Sequence, residues 1–300
     1  MLKNKIIIST YLFVIVELLF SYNFKTILGE VELIVLENEK DKVPQIKNLI
    51  QSTSKNLYDK FGPIQLDSIT IYITDNNHSF KKLSGNSTPE WGIAIAKHNP
   101  DIIVLKSPSF AKITFNKFKK VIIHEISHIY FRRITNGSSI PSWFMEGIAM
   151  QFSSEFSVSH KISISKAIWK NKIFSINELN YINNYKKPEI QLIYGQSASL
   201  IEALEYFYGE NIIKKIIYFM NSGDQFYEAL EKTTELNILE FDLKYLKFLK
   251  NQYRWIFLLN SSNMIFIIFP IIVIIGYVYK RYTTKIILKK WEYEEQNIED

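Results

Sequence analysis

The string His124-Glu125-Ile126-Ser127-His128 constrains the fold of this chain more than any other feature. On an α-helix, residues four apart lie on one face, so two imidazoles at this spacing can hold one metal ion. Glu125 then lies beside them, where it can take a proton from a water that the ion activates. Residues 121–131 are otherwise mostly apolar. Unpaired histidine and carboxylate groups are costly to bury in such a helix, and a metal ion gives them partners.

A second apolar segment supplies the further ligand that a catalytic zinc site needs, since such sites use three protein ligands and keep one position open. In the segment 141–149, Glu146 is the only acidic residue, and Pro141 is favoured at the start of a helix. A glutamate alone at a helix start is more often a solvated partner of the helix dipole. Because Glu146 follows the histidine pair closely in the sequence, the role of metal ligand is favoured for it. The sequence therefore predicts one Zn²⁺ per chain, bound by His124, His128 and Glu146.

Several further segments resemble the peptidase MA-like family of gluzincins, which are relatives of thermolysin and the zinc aminopeptidases. The resemblance covers roughly residues 32–249. It includes Trp91-Gly92-Ile93-Ala94, the strand-like segment 102–105, the His124–His128 string, the Trp143–Ala149 segment, Tyr194-Gly195-Gln196-Ser197-Ala198 and Tyr208-Gly209. The resemblance implies a zinc peptidase in which His124, His128 and Glu146 bind the metal. Glu125 is then the general base and acid.

Two positions in this pattern leave alternatives open. The family often has an acidic residue four positions after the third ligand, where this chain has Met150. A carboxylate there could orient a ligand histidine, so its absence leaves that task to another group or lowers activity. Tyr194 could donate a hydrogen bond to the oxyanion of a tetrahedral intermediate, or it could be a tyrosine packed at a helix start.

The order of the predicted elements indicates an α+β fold. Segments with strand patterns come first and form a small, mixed N-terminal sheet, and helical segments follow in a C-terminal lobe. We expect one metallopeptidase domain over 30–250, with the sheet and active-site helix in 30–135 and the helical lobe in 136–250. The predicted strands are 31–36, 69–73, 91–96 and 102–105, and the predicted helices are 43–61, 115–133, 141–152, 194–208, 212–220, 226–231 and 239–249.

The two ends of the chain are apolar and predict membrane attachment. Residues 1–28 have a basic start and an apolar run, as in a signal peptide or an N-terminal anchor. Residues 255–279 predict a transmembrane helix, and residues 280–300 a cytoplasmic tail that begins with basic residues. By the positive-inside rule, we expect a cell-membrane protein with one or two spans, an extracytoplasmic catalytic domain and a cytoplasmic C-terminus.

The sequence thus predicts a membrane-tethered zinc metallopeptidase with a peptide or protein substrate and with membrane lipid around its C-terminal helix. The alternatives are a catalytically silent zinc-containing domain that binds partners, or a membrane-assembly factor with a structural metal. The retained Glu125 disfavours both, because a structural site needs no base. No nucleic-acid partner is expected, since the net charge of +6 comes without any recognisable binding module. Cysteine is absent, which excludes disulfides and thiolate ligands.

Overall fold

The structure is a computed structural model that describes residues 5–7, 19–85, 92–181, 187–259 and 261–296. Within them, one mixed sheet has the strand order β1-β2-β3-β4-β6-β5. The strands are β1 (Lys5–Ile7), β2 (Leu19–Thr26), β3 (Gly29–Leu36), β4 (Ile69–Thr74), β5 (Ala94–Lys97) and β6 (Ile102–Lys106). The pairs β3–β4 and β4–β6 are parallel, and the other pairs are antiparallel. Strand β5 therefore lies at one end of this sheet.

Helices cover the sheet and build the second half of the chain. They are α1 (Val43–Phe61), α2 (Asn77–Ser84), α3 (Pro108–Ala111), α4 (Phe115–Ile134), α5 (Ser142–Phe152), α6 (Val158–Trp169), α7 (Lys187–Tyr208), α8 (Ile212–Asn221), α9 (Phe226–Thr234), α10 (Ile238–Tyr253) and α11 (Ser261–Gln296). Helices α1 and α4 pack on the sheet, and α4 also contacts α5, which leads into the helical lobe. Apolar side chains of the strands, of α1 and α4 and of the lobe form one continuous core.

Arg133 fastens the end of α4 to the sheet. Its guanidinium donates to the Asp101 carboxylate at 2.7 Å, to the Leu28 carbonyl at 2.6 Å and to the Ser68 carbonyl at 3.2 Å. Asp101 lies in the β5–β6 hairpin loop and also contacts His98 Nδ1 at 2.9 Å. Burial opposes ionisation of Asp101, but the hydrogen bonds from His98 and Arg133 hold its pKa below the usual value. The end of α4 and the β5–β6 hairpin are thereby held in a fixed position relative to each other.

The architecture is consistent with the α+β arrangement that the sequence predicts, and the helices α2, α3 and α6 are additional. Helix α2 follows strand β4 closely, and the Asn76 side chain accepts from the Ser79 amide and caps it. Helix α6 was not predicted because serines and lysines interrupt its apolar residues. Ile164 and Ile168 of this helix are buried in the core that it shares with the helical lobe, and this packing stabilises the helix. Strand β2 lies within residues 1–28, most of whose other positions are outside the described residues.

The predicted transmembrane helix over 255–279 is wrong. Among the described residues, no helix has the length and apolarity needed to cross a bilayer. The first part of the segment belongs to the folded domain, since Ile256–Leu259 form a 3-10 helix and the Phe257 amide donates to Ser165 Oγ of α6 at 2.9 Å. Helix α11 begins only at Ser261 and continues through charged residues such as Lys280 and Arg281 to Gln296. The expected location in the cell membrane is contradicted by the same finding.

Helices α5 and α7 approach each other closely at a glycine. A Cβ atom at Gly147 would lie 2.3 Å from the Ser197 carbonyl oxygen of α7 and 2.8 Å from Ile201 Cγ1. No side chain fits in that space without moving a helix. Gly147 follows Glu146 directly, so the same contact sets the position of the predicted third ligand.

We expect Gly147→Ala to lower the free energy of unfolding by about 1–3 kcal/mol, because the added methyl must push α5 and α7 apart. Gly276→Ala is the matched control, since a Cβ there meets nothing within 4 Å and alanine favours a helix. Denaturant unfolding of the three proteins measures the difference. A Gly147→Ala protein as stable as the control would contradict the close contact.

Candidate metal centre

Helix α4 presents its two histidines on one side and buries its apolar residues on the others. The Thr114 hydroxyl accepts from the Lys117 amide and so begins the helix. Ile122, Ile126 and Ile129 are in the core. The His124 and His128 rings lie one turn apart with centroids 4.7 Å from each other. Each side chain is about 15% exposed, so both rings are largely buried but not closed off from solvent.

Glu146 reaches the same two rings from α5. Its Oε2 atom lies 3.2 Å from His124 Nε2 and 3.8 Å from His128 Nε2. Burial opposes ionisation of Glu146, but the neighbouring His128 and His124 hold its pKa below the usual value. Burial lowers the pKa of His128 to about 4, which favours the neutral ring that a metal requires.

These three side chains match the donor set and spacing of a zinc site. One donor atom from each lies within 4.8 Å of the other two. In a tetrahedral site with bonds of about 2.0–2.1 Å, donor atoms are about 3.3 Å apart. The separations of 3.2 and 3.8 Å are close to that value. The residues predicted from the sequence are therefore brought together in a geometry that fits one ion.

The Glu125 side chain extends from α4 toward the edge strand β5. The residue is only 7% exposed, and the Ala96 backbone of β5 hydrogen-bonds to its carboxylate. Burial raises the pKa of Glu125 to about 7, and the charges of Glu146 and Glu155 act in the same direction. A carboxylate in this environment holds a proton more readily than one in solvent.

Tyr194 joins the cluster from α7, the third helix around it. The negative charge of Glu146 is the main reason that its pKa is raised, and burial adds to the effect. Glu125 and Glu155 contribute as well. The raised pKa favours a phenol that keeps its proton. The structure thus brings His124, His128 and Glu146 together, and the charges of the cluster act on Glu125 and Tyr194.

Sequence reasoning missed one residue of the cluster, Glu155. Helix α5 ends at Phe152, and the chain then turns through Ser154, whose φ is 56°. This turn directs Glu155 back to α4, where Oε2 lies 2.8 Å from His124 Nδ1 and 3.0 Å from Ser153 Oγ. Burial opposes its ionisation, but the hydrogen bond to His124 holds the Glu155 pKa below the usual value. Its only signal in the sequence is an acidic residue soon after a helix end.

An α+β fold that places a His-Glu-x-x-His helix beside a sheet edge, with a glutamate from the next helix, defines a class of peptidases. The chain belongs to the Peptidase MA superfamily, whose family model matches residues 51–251. The resemblance expected from the sequence is thus confirmed. No curated protein matches the chain.

Two matches among solved structures are examples, and the first shows a similar fold. One is an aminopeptidase N family protein from Idiomarina loihiensis, with 13% identity, a TM-score of 0.50 and coverage of 75% of this chain and 46% of that one. The other is an M1 zinc metallopeptidase from Deinococcus radiodurans, with 10% identity, a TM-score of 0.43 and coverage of 78% and 52%. The chain spans about half the length of these proteins. The family and the fold together support a peptidase.

Proposed function

We propose that the protein is a zinc-dependent peptidase that hydrolyses peptide bonds with Glu125 as the general base. The observation that carries the proposal is the position of Glu125, a buried carboxylate beside three converging metal donors. A purely structural metal site needs no such base. No described residue favours the alternative of a catalytically silent binding domain.

His124, His128 and Glu146 would hold one Zn²⁺ per chain. Two imidazoles and a carboxylate are a frequent ligand set of catalytic zinc, and the chain has no cysteine to offer instead. When bound, zinc supplies Lewis-acid chemistry, which makes a water more acidic and polarises a carbonyl group. With three ligands from the protein, one position would remain for water or substrate.

Glu125 would accept the proton of the attacking water and later pass it to the leaving amine. Its raised pKa, which follows from burial, suits a group that must both take and return a proton near neutral pH. The hydrogen bond from the Ala96 backbone would keep the carboxylate oriented. Tyr194 would donate its proton in a hydrogen bond to the oxyanion of the tetrahedral intermediate.

The edge strand β5 would hold the substrate. Within the described part of the sheet it is paired on one side only, with β6. An extended peptide can add to such an edge through main-chain hydrogen bonds. Because Ala96 of this strand also contacts Glu125, a peptide bound there would lie next to the base. The expected substrate is therefore an extended segment of a peptide or protein.

Metal binding is the first test. We expect the full chain to bind about one zinc and Glu146→Ala to lose zinc affinity by more than about a hundredfold, because a direct ligand is removed. Glu231→Gln is the control, since it also removes one negative charge but at an exposed residue. This variant should bind zinc as the wild type does. Metal analysis after equilibration with a chelator gives the affinities. Full zinc occupancy in Glu146→Ala would remove Glu146 from the site.

Peptide turnover is the second test. Glu125→Gln keeps the shape of the side chain and removes the base, so turnover should fall at least about a hundredfold while zinc stays bound. A peptide library digested by the wild type, by this variant and by Glu231→Gln provides the comparison. Undiminished turnover in Glu125→Gln would reject Glu125 as the base. A wild type that binds zinc and cleaves nothing would favour the silent binding domain.

The role of Tyr194 has a separate test. Tyr194→Phe should lower kcat by about 10²- to 10³-fold, the usual loss for one oxyanion donor, with a smaller effect on KM. Tyr206→Phe is the matched control on the same helix, since Tyr206 is 64% exposed. Steady-state kinetics of both variants separate the effects. Equal kcat values in the two variants would make Tyr194 a packing residue.

A further inference from the structure

His124 uses both of its ring nitrogens, and the two face different carboxylates. Nε2 lies 3.2 Å from Glu146, on the side of the candidate ion, whereas Nδ1 lies 2.8 Å from Glu155. We propose that Glu155 is a positioning residue that fixes the ring orientation and tautomer of His124 and thereby sets the metal affinity of the site. This inference rests on the proposed function, in which His124 is a metal ligand.

The tautomer follows from the needs of the metal. A neutral histidine that binds an ion through Nε2 must carry its proton on Nδ1, and that N–H group needs an acceptor. A carboxylate is a strong acceptor, and its negative charge also makes Nε2 a better electron donor. Glu155 Oε2 is at the distance of such a charge-assisted hydrogen bond.

The turn that carries Glu155 is fastened to its neighbours. Ser153, which is buried, donates its hydroxyl to the same Oε2 atom at 3.0 Å. The Glu155 amide donates to the Met150 carbonyl at 2.9 Å. Lys120, one turn before His124 on α4, donates to the Ser154 carbonyl at 2.7 Å. These contacts hold the carboxylate against the helix whose histidine it orients, so the Glu155 position is determined by the fold.

The same turn provides a carboxylate for His124 although Met150 stands where the family often has an acidic residue. Helix α5 has a methionine at this position and therefore presents no carboxylate there. The Met150 side chain is only 4% exposed and packs in the interior. Glu155 approaches His124 from beyond the end of the helix, nine positions after Glu146. The turn that follows α5 thus supplies the acidic partner of His124 that α5 itself lacks.

The test measures metal affinity as well as activity, on the full chain. Loss of a carboxylate that orients a ligand histidine costs about 10- to 100-fold in metal affinity or activity. We expect a zinc affinity loss of this size in Glu155→Ala and a smaller one in Glu155→Gln, whose amide oxygen still accepts a hydrogen bond without the charge. Ser153→Ala should weaken zinc binding less, since it removes only the support of Glu155. Glu231→Gln is the control with the same charge change.

The visible spectrum of the Co²⁺-loaded protein adds a readout that a merely structural role would not move. A weaker ligand field from His124 should shift the absorption bands in Glu155→Gln and leave them unchanged in Glu231→Gln. Circular dichroism of the metal-free proteins checks that each variant folds. If Glu155→Ala does not fold, the Gln and Ser153→Ala variants decide the question.

The outcomes separate this inference from the proposed function. Wild-type zinc affinity and Co²⁺ spectra in the Glu155 variants would overturn the inference, even if the wild type cleaves peptides. If the Glu155 variants bind zinc more weakly and the wild type cleaves no peptide, the inference is supported and the proposed peptidase activity is rejected. A wild type that binds no zinc would reject both.

Discussion

The packing of α5 between α4 and α7 is the constraint on which the site depends. It brings the Glu146 carboxylate to within 4 Å of two imidazoles that are themselves largely buried. Ionisable groups removed from water are tolerated only when they have partners, so these side chains must converge. The glycine at 147 is what allows this approach, because α7 leaves no room for a side chain there. The close packing of α5 therefore depends on Gly147, and the candidate metal site depends on Glu146 directly before it.

The electrostatics of the cluster follow from that convergence. Glu125, Glu146 and Glu155 lie close enough for their charges to influence one another, and their environments separate their roles. Hydrogen bonds from His124 help to hold the pKa values of Glu146 and Glu155 below their usual range, whereas burial raises the pKa of Glu125 despite the nearby charge of His124. Three carboxylates of similar chemistry are thereby divided into a candidate ligand, a candidate positioning group and a candidate base.

The sheet contributes rigidity and the edge strand that is proposed to bind the substrate. Arg133 ties the end of α4 to Leu28, Ser68 and Asp101, which belong to three separate segments around the sheet. The β5–β6 hairpin is held by the same side chain, so the edge strand and the base beside it keep a fixed relation. A site that must position a peptide bond within a fraction of an ångström benefits from support of this kind.

The sequence by itself determined the elements whose signals are local. The apolar period of α1 and α4, the proline before α5 and the glycine after α7 predicted those helices, and the spacing of His124, Glu125 and His128 predicted the centre of the site. Only the tertiary structure decided the rest. Helix α6 forms because its isoleucines pack on the lobe, and residues 256–259 join the domain because α6 offers them a surface. Glu155 joins the site because a turn with positive φ reverses the chain, and a contact made across such a turn leaves no periodic pattern for the sequence to reveal.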